Sequence, residues 1–398
     1  MSRTTFSYRH FLSVLLLLPS LSYSAIRLPA VISDNMVLQQ QARAALWGWG
    51  DPGEKVYITA SWGTGIDSGQ VNSDGKWKIK INTPVAGGPY TITLKGWNSI
   101  TLKNILVGEV WVCSGQSNME WSSNNNNRQI LDELPHSANH NIRLFHIPRT
   151  SAEDPQEDCR GNWEVCGPES LKGFSVIGYF FGKKLQASLG VPVGLIMSAW
   201  GGTPVEVWTP SAVINENPVM RSAASKLSET PWGPYRPGLL FNGMIAPITG
   251  FEIAGAIWYQ GESNVDIARS YQTTFSAMIK SWRQLWKKNF PFYFVQIAPY
   301  HYGDNLSGAL LREQQAKTLS LDNTGMVVIT DLVNDVNNIH PDDKAGVSER
   351  LANLALARTY NRSVGPGLYP SFSHMDIKKE QVTVYFDNIP NGLKAKGK

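Results

Sequence analysis

Between residues 26 and about 105, short runs alternate apolar and polar positions. They are Ala44–Trp49, Lys55–Ala60, Trp77–Ile81 and Tyr90–Leu94, separated by Asp51-Pro52-Gly53, Ser73-Asp74-Gly75 and Gly87-Gly88-Pro89. A period of two turns one face of a strand to a core and the other to water, and such turn clusters end it. The pattern predicts an all-β, sandwich-like region over 25–105. From 106 the apolar runs become continuous: Ile105–Cys113, Val193–Met197, Ile253–Tyr259, Phe292–Ile297 and Met326–Thr330. Strands buried on both faces look like this. Between them Phe174, Ile177, Phe181, Leu185 and Leu189 recur at helical spacing ahead of Gly190, a C-cap residue. Tyr271–Trp286 and Leu306–Leu319 are two further predicted helices. Strand–helix alternation predicts an α/β unit over 106–362 with a mainly parallel, five-stranded sheet. Gln381–Phe386 returns to a β pattern, so 363–398 reads as a β segment ending in the basic tail Leu393–Lys398.

The first 24 residues have a different logic. Arg3 and Arg9 precede the apolar run Phe11–Leu18, and Ser20–Ala25 follows with small residues. This is the pattern of an export leader cut after Ser24. The run is too short to span a bilayer, which needs about 20 residues. Export, to the periplasm or the medium, is therefore expected. Loss of two arginines takes the net charge from +4 to +2.

Composition narrows the function classes. With 42% hydrophobic and 17% charged residues, the chain has enough apolar surface to fold and is not a disordered one. The small net charge and the lack of a basic cluster argue against a nucleic-acid or anionic-membrane partner. Fourteen Trp is a high count; most are expected in the core, although aromatic faces also line sugar sites. Cys159 and Cys166 lie in a polar stretch and could close a small disulfide loop after export. Cys113 reads as a buried free thiol. His136 and His140 have the spacing of a helical zinc pair, but there is no HExxH, and Pro135 and Asn139 suggest a polar loop, so surface histidines are expected. No metal or cofactor motif appears.

In open α/β sheets, ligands bind beyond the carboxyl ends of the strands. After the first central strand comes Ser114-Gly115-Gln116-Ser117-Asn118-Met119-Glu120, and after the second Ser198-Ala199-Trp200-Gly201-Gly202-Thr203. Gln260-Gly261-Glu262-Ser263-Asn264 follows the third, and Asn337-Asn338-Ile339-His340-Pro341 lies beyond the fifth. A hydroxyl, a glycine pair, side-chain amides and an imidazole on one edge are the parts of ester hydrolysis. Each part alone is ordinary: Ser117 would do as a helix cap and Gly201-Gly202 as a turn.

These strings resemble the conserved blocks of the sialate O-acetylesterase family, within the SGNH hydrolase superfamily. Cys113–Glu120 resembles its nucleophile block, Trp200–Trp208 its second, Ile257–Asn264 its third and Ile339-His340-Pro341 with Lys344 its histidine block. Arg27-Leu28-Pro29, Ser33–Gln39 and Trp47–Gly53 extend the likeness toward the N-terminus. The resemblance implies an SGNH-like catalytic unit with Ser117 as nucleophile and His340 as general base and then acid. It implies an oxyanion hole built from the N–H groups of Ser117 and Gly202 and one side-chain amide, Gln260 or Asn264. Relatives often carry an Asp two residues before the histidine, where this chain has Asn338. That leaves three arrangements: a Ser–His dyad held by a backbone carbonyl, a substitute carboxylate from Asp335 or Glu262, or a crippled site. Relatives also continue into a fuller C-terminal β region, so 363–398 is an incomplete sandwich or the end of a fragment.

The expected substrate is an O-acetylated sialic acid, the 9-O ester foremost, with Arg312 as a possible partner of its carboxylate or else a member of a surface salt bridge. Acetylated xylan or another acetylated sugar is the alternative within the class. A catalytically silent carbohydrate-binding protein is the alternative outside it.

Overall fold

The computed structural model describes Met1, residues 25–304, 306–362, 370–389 and 392–393. The expected leader, apart from Met1, and the tail beyond Leu393 lie outside the described residues. The strands are β1 (Val37–Gln39), β2 (Arg43–Trp49), β3 (Lys55–Ala60), β4 (Ile66–Gln70), β5 (Lys76–Asn82), β6 (Gly87–Lys95), β7 (Ser99–Gly115), β8 (Asn139–His146), β9 (Trp163–Cys166), β10 (Val193–Ala199), β11 (Gly255–Tyr259), β12 (Phe292–Val295), β13 (Thr324–Val327), β14 (Ser371–Lys378) and β15 (Gln381–Asp387).

The central sheet has the order β13-β12-β11-β7-β10-β8-β9. Six of its strands run parallel, and β9 closes the edge antiparallel to β8. The expected count of five is thus one parallel strand short. The missing strand is β8, whose start, Asn139-His140-Asn141, reads as polar loop while only Ile142–Phe145 are buried. His140 accordingly lies on this strand, not in a loop, and is exposed.

β7 is 17 residues long and belongs to both halves of the molecule. Its first part pairs with β6 in antiparallel register, and its second part is the middle of the parallel sheet. The change of pattern at 105/106 therefore falls inside one unbroken strand. Ahead of Ser117 the described residues form strands and turns, with β2–β5 a separate pair packed over β4, where Gly69 abuts Ile79.

Alternation along β7 sends Val110 and Val112 to one core and Trp111 and Cys113 to the other. The helix Val176–Leu189, capped by Gly190 in left-handed geometry, covers the second core together with the helix Lys344–Arg358. The helix Tyr271–Trp286 covers the first. Trp111, Trp163, Trp208, Trp258 and Trp282 are fully buried, so the core absorbs much of the Trp content. All three cysteines are free thiols. The expected Cys159–Cys166 disulfide is absent: β9 buries Cys166 in the second core, where its thiol donates to the carbonyl of Ser137, while Cys159 packs against the first. Burial holds the Cys113 thiol far above its ordinary range and pushes Cys159 and Cys166 up to about 12.

Candidate active site

The chain leaves β7 toward β8 on one side and enters β11 on the other, so the order of strands reverses at β7. Gly115, Ala199 and Tyr259 are register partners at the carboxyl ends of β7, β10 and β11. Three loops therefore emerge side by side at the point where such sheets bind ligands. The turn from β7 into the short helix Ser117–Glu120 needs Gly115: its φ is +141°, and a Cβ there would lie 2.1 Å from the carbonyl oxygen of Tyr259.

Ser117 lies 2.9 Å, Oγ to Nε2, from His340. That is hydrogen-bond distance for an imidazole that accepts the hydroxyl proton. The pair sits in a cleft of about 1010 Å³ lined also by Trp121, Arg149, Gly202 and Trp232. Trp121 stacks on the imidazole with centroids 4.6 Å apart and planes inclined by 26°. Burial, and then the neighbouring Lys344 ammonium, hold His340 down at about 4, so the ring is a neutral base at ordinary pH.

The glycine turn leans directly on Ser117. A Cβ on Gly201 would stand 3.1 Å from that of Ser117. Gly202 has φ +72°, and a Cβ there would meet Trp232 at 2.9 Å. Glu120 braces this turn: one of its oxygens accepts the Gly201 N–H at 2.8 Å, while Arg149 grips the carboxylate through two nitrogens. The Gly202 N–H has no acceptor among the described residues and the Ser117 N–H opens a helix, so both are free to meet an oxyanion.

Not every expected residue reaches the cleft. The Gln260 amide donates to the Thr203 carbonyl at 3.1 Å and to Asn264 Oδ1 at 2.7 Å, wholly buried. Asn264 donates to Glu206 at 2.8 Å. Both amides are spent inside this network, which fixes the Thr203–Glu206 turn from behind and leaves neither facing an oxyanion. Arg312 is tied to Thr330 at 2.7 Å and to Gln296 at 3.3 Å, and does not line the cleft.

Among the described residues no carboxylate bonds the His340 ring either. Asn338 Oδ1 accepts the backbone N–H of His340 at 2.9 Å. Asp335 caps its own turn through the Asn337 N–H at 2.8 Å. Glu262 accepts instead from Asn118 Nδ2 at 2.7 Å, and the same nitrogen donates to the Ile339 carbonyl at 3.0 Å. The Lys344 ammonium closes the cluster on Asn118 Oδ1. Asn118 thereby ties the nucleophile turn to the histidine loop. Burial raises the Glu262 carboxyl and pushes Lys344 down to about 7.

The sequence strings contain Asn118, Glu120 and Lys344, but nothing in their spacing gives these roles. Trp121 and Trp232 carry no local signal, since only the folded cleft sets them beside the pair.

Residues 107–357 match the family described as "Carbohydrate esterase, sialic acid-specific acetylesterase". The chain is 30% identical over 377 residues to the sialate O-acetylesterase of Homo sapiens, covering 84% of this chain and 71% of that protein. The same figures hold for the sialate O-acetylesterase of Pongo abelii. The fold is similar to the crystal structure of a carbohydrate acetylesterase from Xanthomonas citri, with TM-score 0.82 and 32% identity over 92% of this chain and 82% of that one.

Proposed function

The chain belongs to this carbohydrate esterase family and is a carboxylic ester hydrolase, and from that premise we propose that it removes O-acetyl groups from sialic acids through an acetyl-enzyme on Ser117. The observation that carries the reading is the 2.9 Å Ser117–His340 contact beside the Gly201–Gly202 turn.

His340 Nε2 takes the Ser117 proton as Oγ attacks the acetyl carbonyl. The charge developing on the carbonyl oxygen is met by the N–H groups of Ser117 and Gly202. As the tetrahedral intermediate collapses, His340 protonates the departing sugar oxygen to give the free hydroxyl, and water activated by the same ring then attacks the acetyl-enzyme, releasing acetate and restoring Ser117. The stack on Trp121 takes over the orienting part of an Asp, without its charge. The exposed Trp232 ring supplies a face for the sugar. Arg149, on the cleft wall, replaces Arg312 as the cation for a sugar carboxylate. The 9-O ester is favoured because it sits at the end of the sugar's flexible side chain, where its carbonyl is least hindered for attack by Ser117.

The test is acetate release by purified protein from 9-O-acetylated sialic acid and from acetylated xylan. Release from the sialic acid, reduced more than about a thousandfold in Ser117→Ala, is expected. Preference for xylan would replace the substrate, and undiminished release by the variant would remove the serine mechanism. We propose export as well, on the pattern of residues 1–24; a mature N-terminus at Ala25 is expected on sequencing, and retention of Met1 on the exported protein would oppose it.

A further inference from the structure

A second cavity of about 640 Å³ lies between the β2–β5 pair and the catalytic layer and shares no lining residue with the catalytic cleft. Its floor follows from strand register. Trp47 is opposite Lys78, Trp49 opposite Lys76, and Ala45 opposite Lys80. Opposed residues project to one face of a strand pair, so two half-buried Trp rings and three lysines share this face. The exposed amide side chains of Gln70, Asn72 and Gln156 also line it, beside apolar walls from Pro155, Phe241 and Pro247. Gly250 forms part of the far wall, close enough that a Cβ there would meet the Trp47 ring at 3.1 Å.

The charges are unbalanced. Lys76 is paired with Glu157, which also accepts from Trp49 Nε1 at 3.1 Å. Lys78 instead lies over the Trp47 ring, 5.7 Å from its centroid. The neighbours that act on its charge, Lys80 and Lys287, are both cationic. Among the described residues no carboxylate pairs with Lys78, Lys80 or Lys287. An unpaired lysine beside aromatic faces, with Glu157 already taken up by Lys76, is complementary to an anion that carries apolar faces. Apolar faces rimmed by hydroxyl groups, met here by aromatic rings and side-chain amides, are the chemistry of a sugar.

We propose that this groove is a non-catalytic site for an acidic glycan, with the sugar faces on Trp47 and Trp49 and the carboxylate at Lys78. The inference rests on the groove alone and does not require the esterase reading. By holding a glycan chain, the groove would raise the local concentration of neighbouring substrate groups at the cleft.

The test is titration calorimetry of the full chain with sialyllactose, with a glucuronic acid-substituted xylo-oligosaccharide and with neutral lactose, none of which carries an acetyl ester. Binding of at least one acidic probe, weakened by added salt and about tenfold weaker in Lys78→Gln, is expected. Which acidic probe binds identifies the source of the carboxylate. Trp47→Ala should lose binding as well, and Lys78→Gln, at an exposed position, keeps the test valid should that variant fold poorly. Both variants should hydrolyse a small aryl acetate at the wild-type rate, so failure of the groove and failure of the esterase reading are read separately. Lactose binding as tight as the acidic probes, acidic-probe binding unchanged in Lys78→Gln, or no binding at millimolar concentration would overturn the proposal.

Discussion

The proposed mechanism requires His340 to gain a proton in a place that disfavours its charge. Burial and Lys344 both oppose the imidazolium, and no carboxylate among the described residues bonds its Nδ1. The cost falls on the transition state, while the benefit is a base that stays neutral in acid. The sign follows directly. Neutral imidazole is the active form, so kcat/KM on an aryl acetate should stay level as pH falls to about 5 and drop with a midpoint of about 4. An unperturbed histidine would give a midpoint near 6.5. Lys344→Met removes a positive neighbour, makes the imidazolium easier to form and should move the midpoint upward. A wild-type midpoint near 6.5, or a downward move in the variant, would contradict this account. Damage to packing alone would lower the plateau without moving the midpoint. At this scale Ser117 and His340 are legible because each stands in a string whose neighbours are informative. Gln260 and Asn264 mislead because their amides answer to Thr203 and Glu206, partners set by folding rather than by local sequence.

The catalytic geometry is delivered by three strand ends held in register. Gly115 is the tightest point, since its backbone passes the Tyr259 carbonyl with no space for a side chain. Gly115→Ala should cost about 3 kcal/mol of stability, through backbone strain and overpacking, and should displace Ser117. Denaturant unfolding together with aryl acetate turnover measures both, and wild-type values of each would contradict the role given to this turn. The elements themselves were readable where the apolar period is long. The helix over Tyr271–Trp286 coincides with its expected bounds, and β2, β3, β5 and β6 lie where alternation sets them. β8 escapes because four buried residues behind a polar start carry too little period to mark a strand. Arg312 likewise reads as an accessible helix cation, whereas the fold turns it onto Thr330 and Gln296.

For the molecule as a whole, the N-terminal strands and the catalytic sheet are joined by more than a linker. β7 runs through both, and one core cluster reaches from Val56 and Ile92 in the N-terminal strands to Trp258 and Phe292 in the parallel sheet. The compositional change near 105 is real, yet it marks a change of partners along one strand. The groove over β2–β5 lies at this seam, and no local signal announces it, because its Trp and Lys residues meet only through strand pairing. Family membership sets aside the silent binding protein as a description of the whole chain. In the proposed mechanism Ser117 carries the acetyl group between the two halves of the reaction. Acid quenching of the enzyme during turnover of an aryl acetate, followed by mass spectrometry of its peptides, shows where the acetyl group resides. One acetyl group on the peptide containing Ser117, absent in Ser117→Ala, is the expected result. Turnover with Ser117 unmodified and the acetyl group on another residue would contradict it.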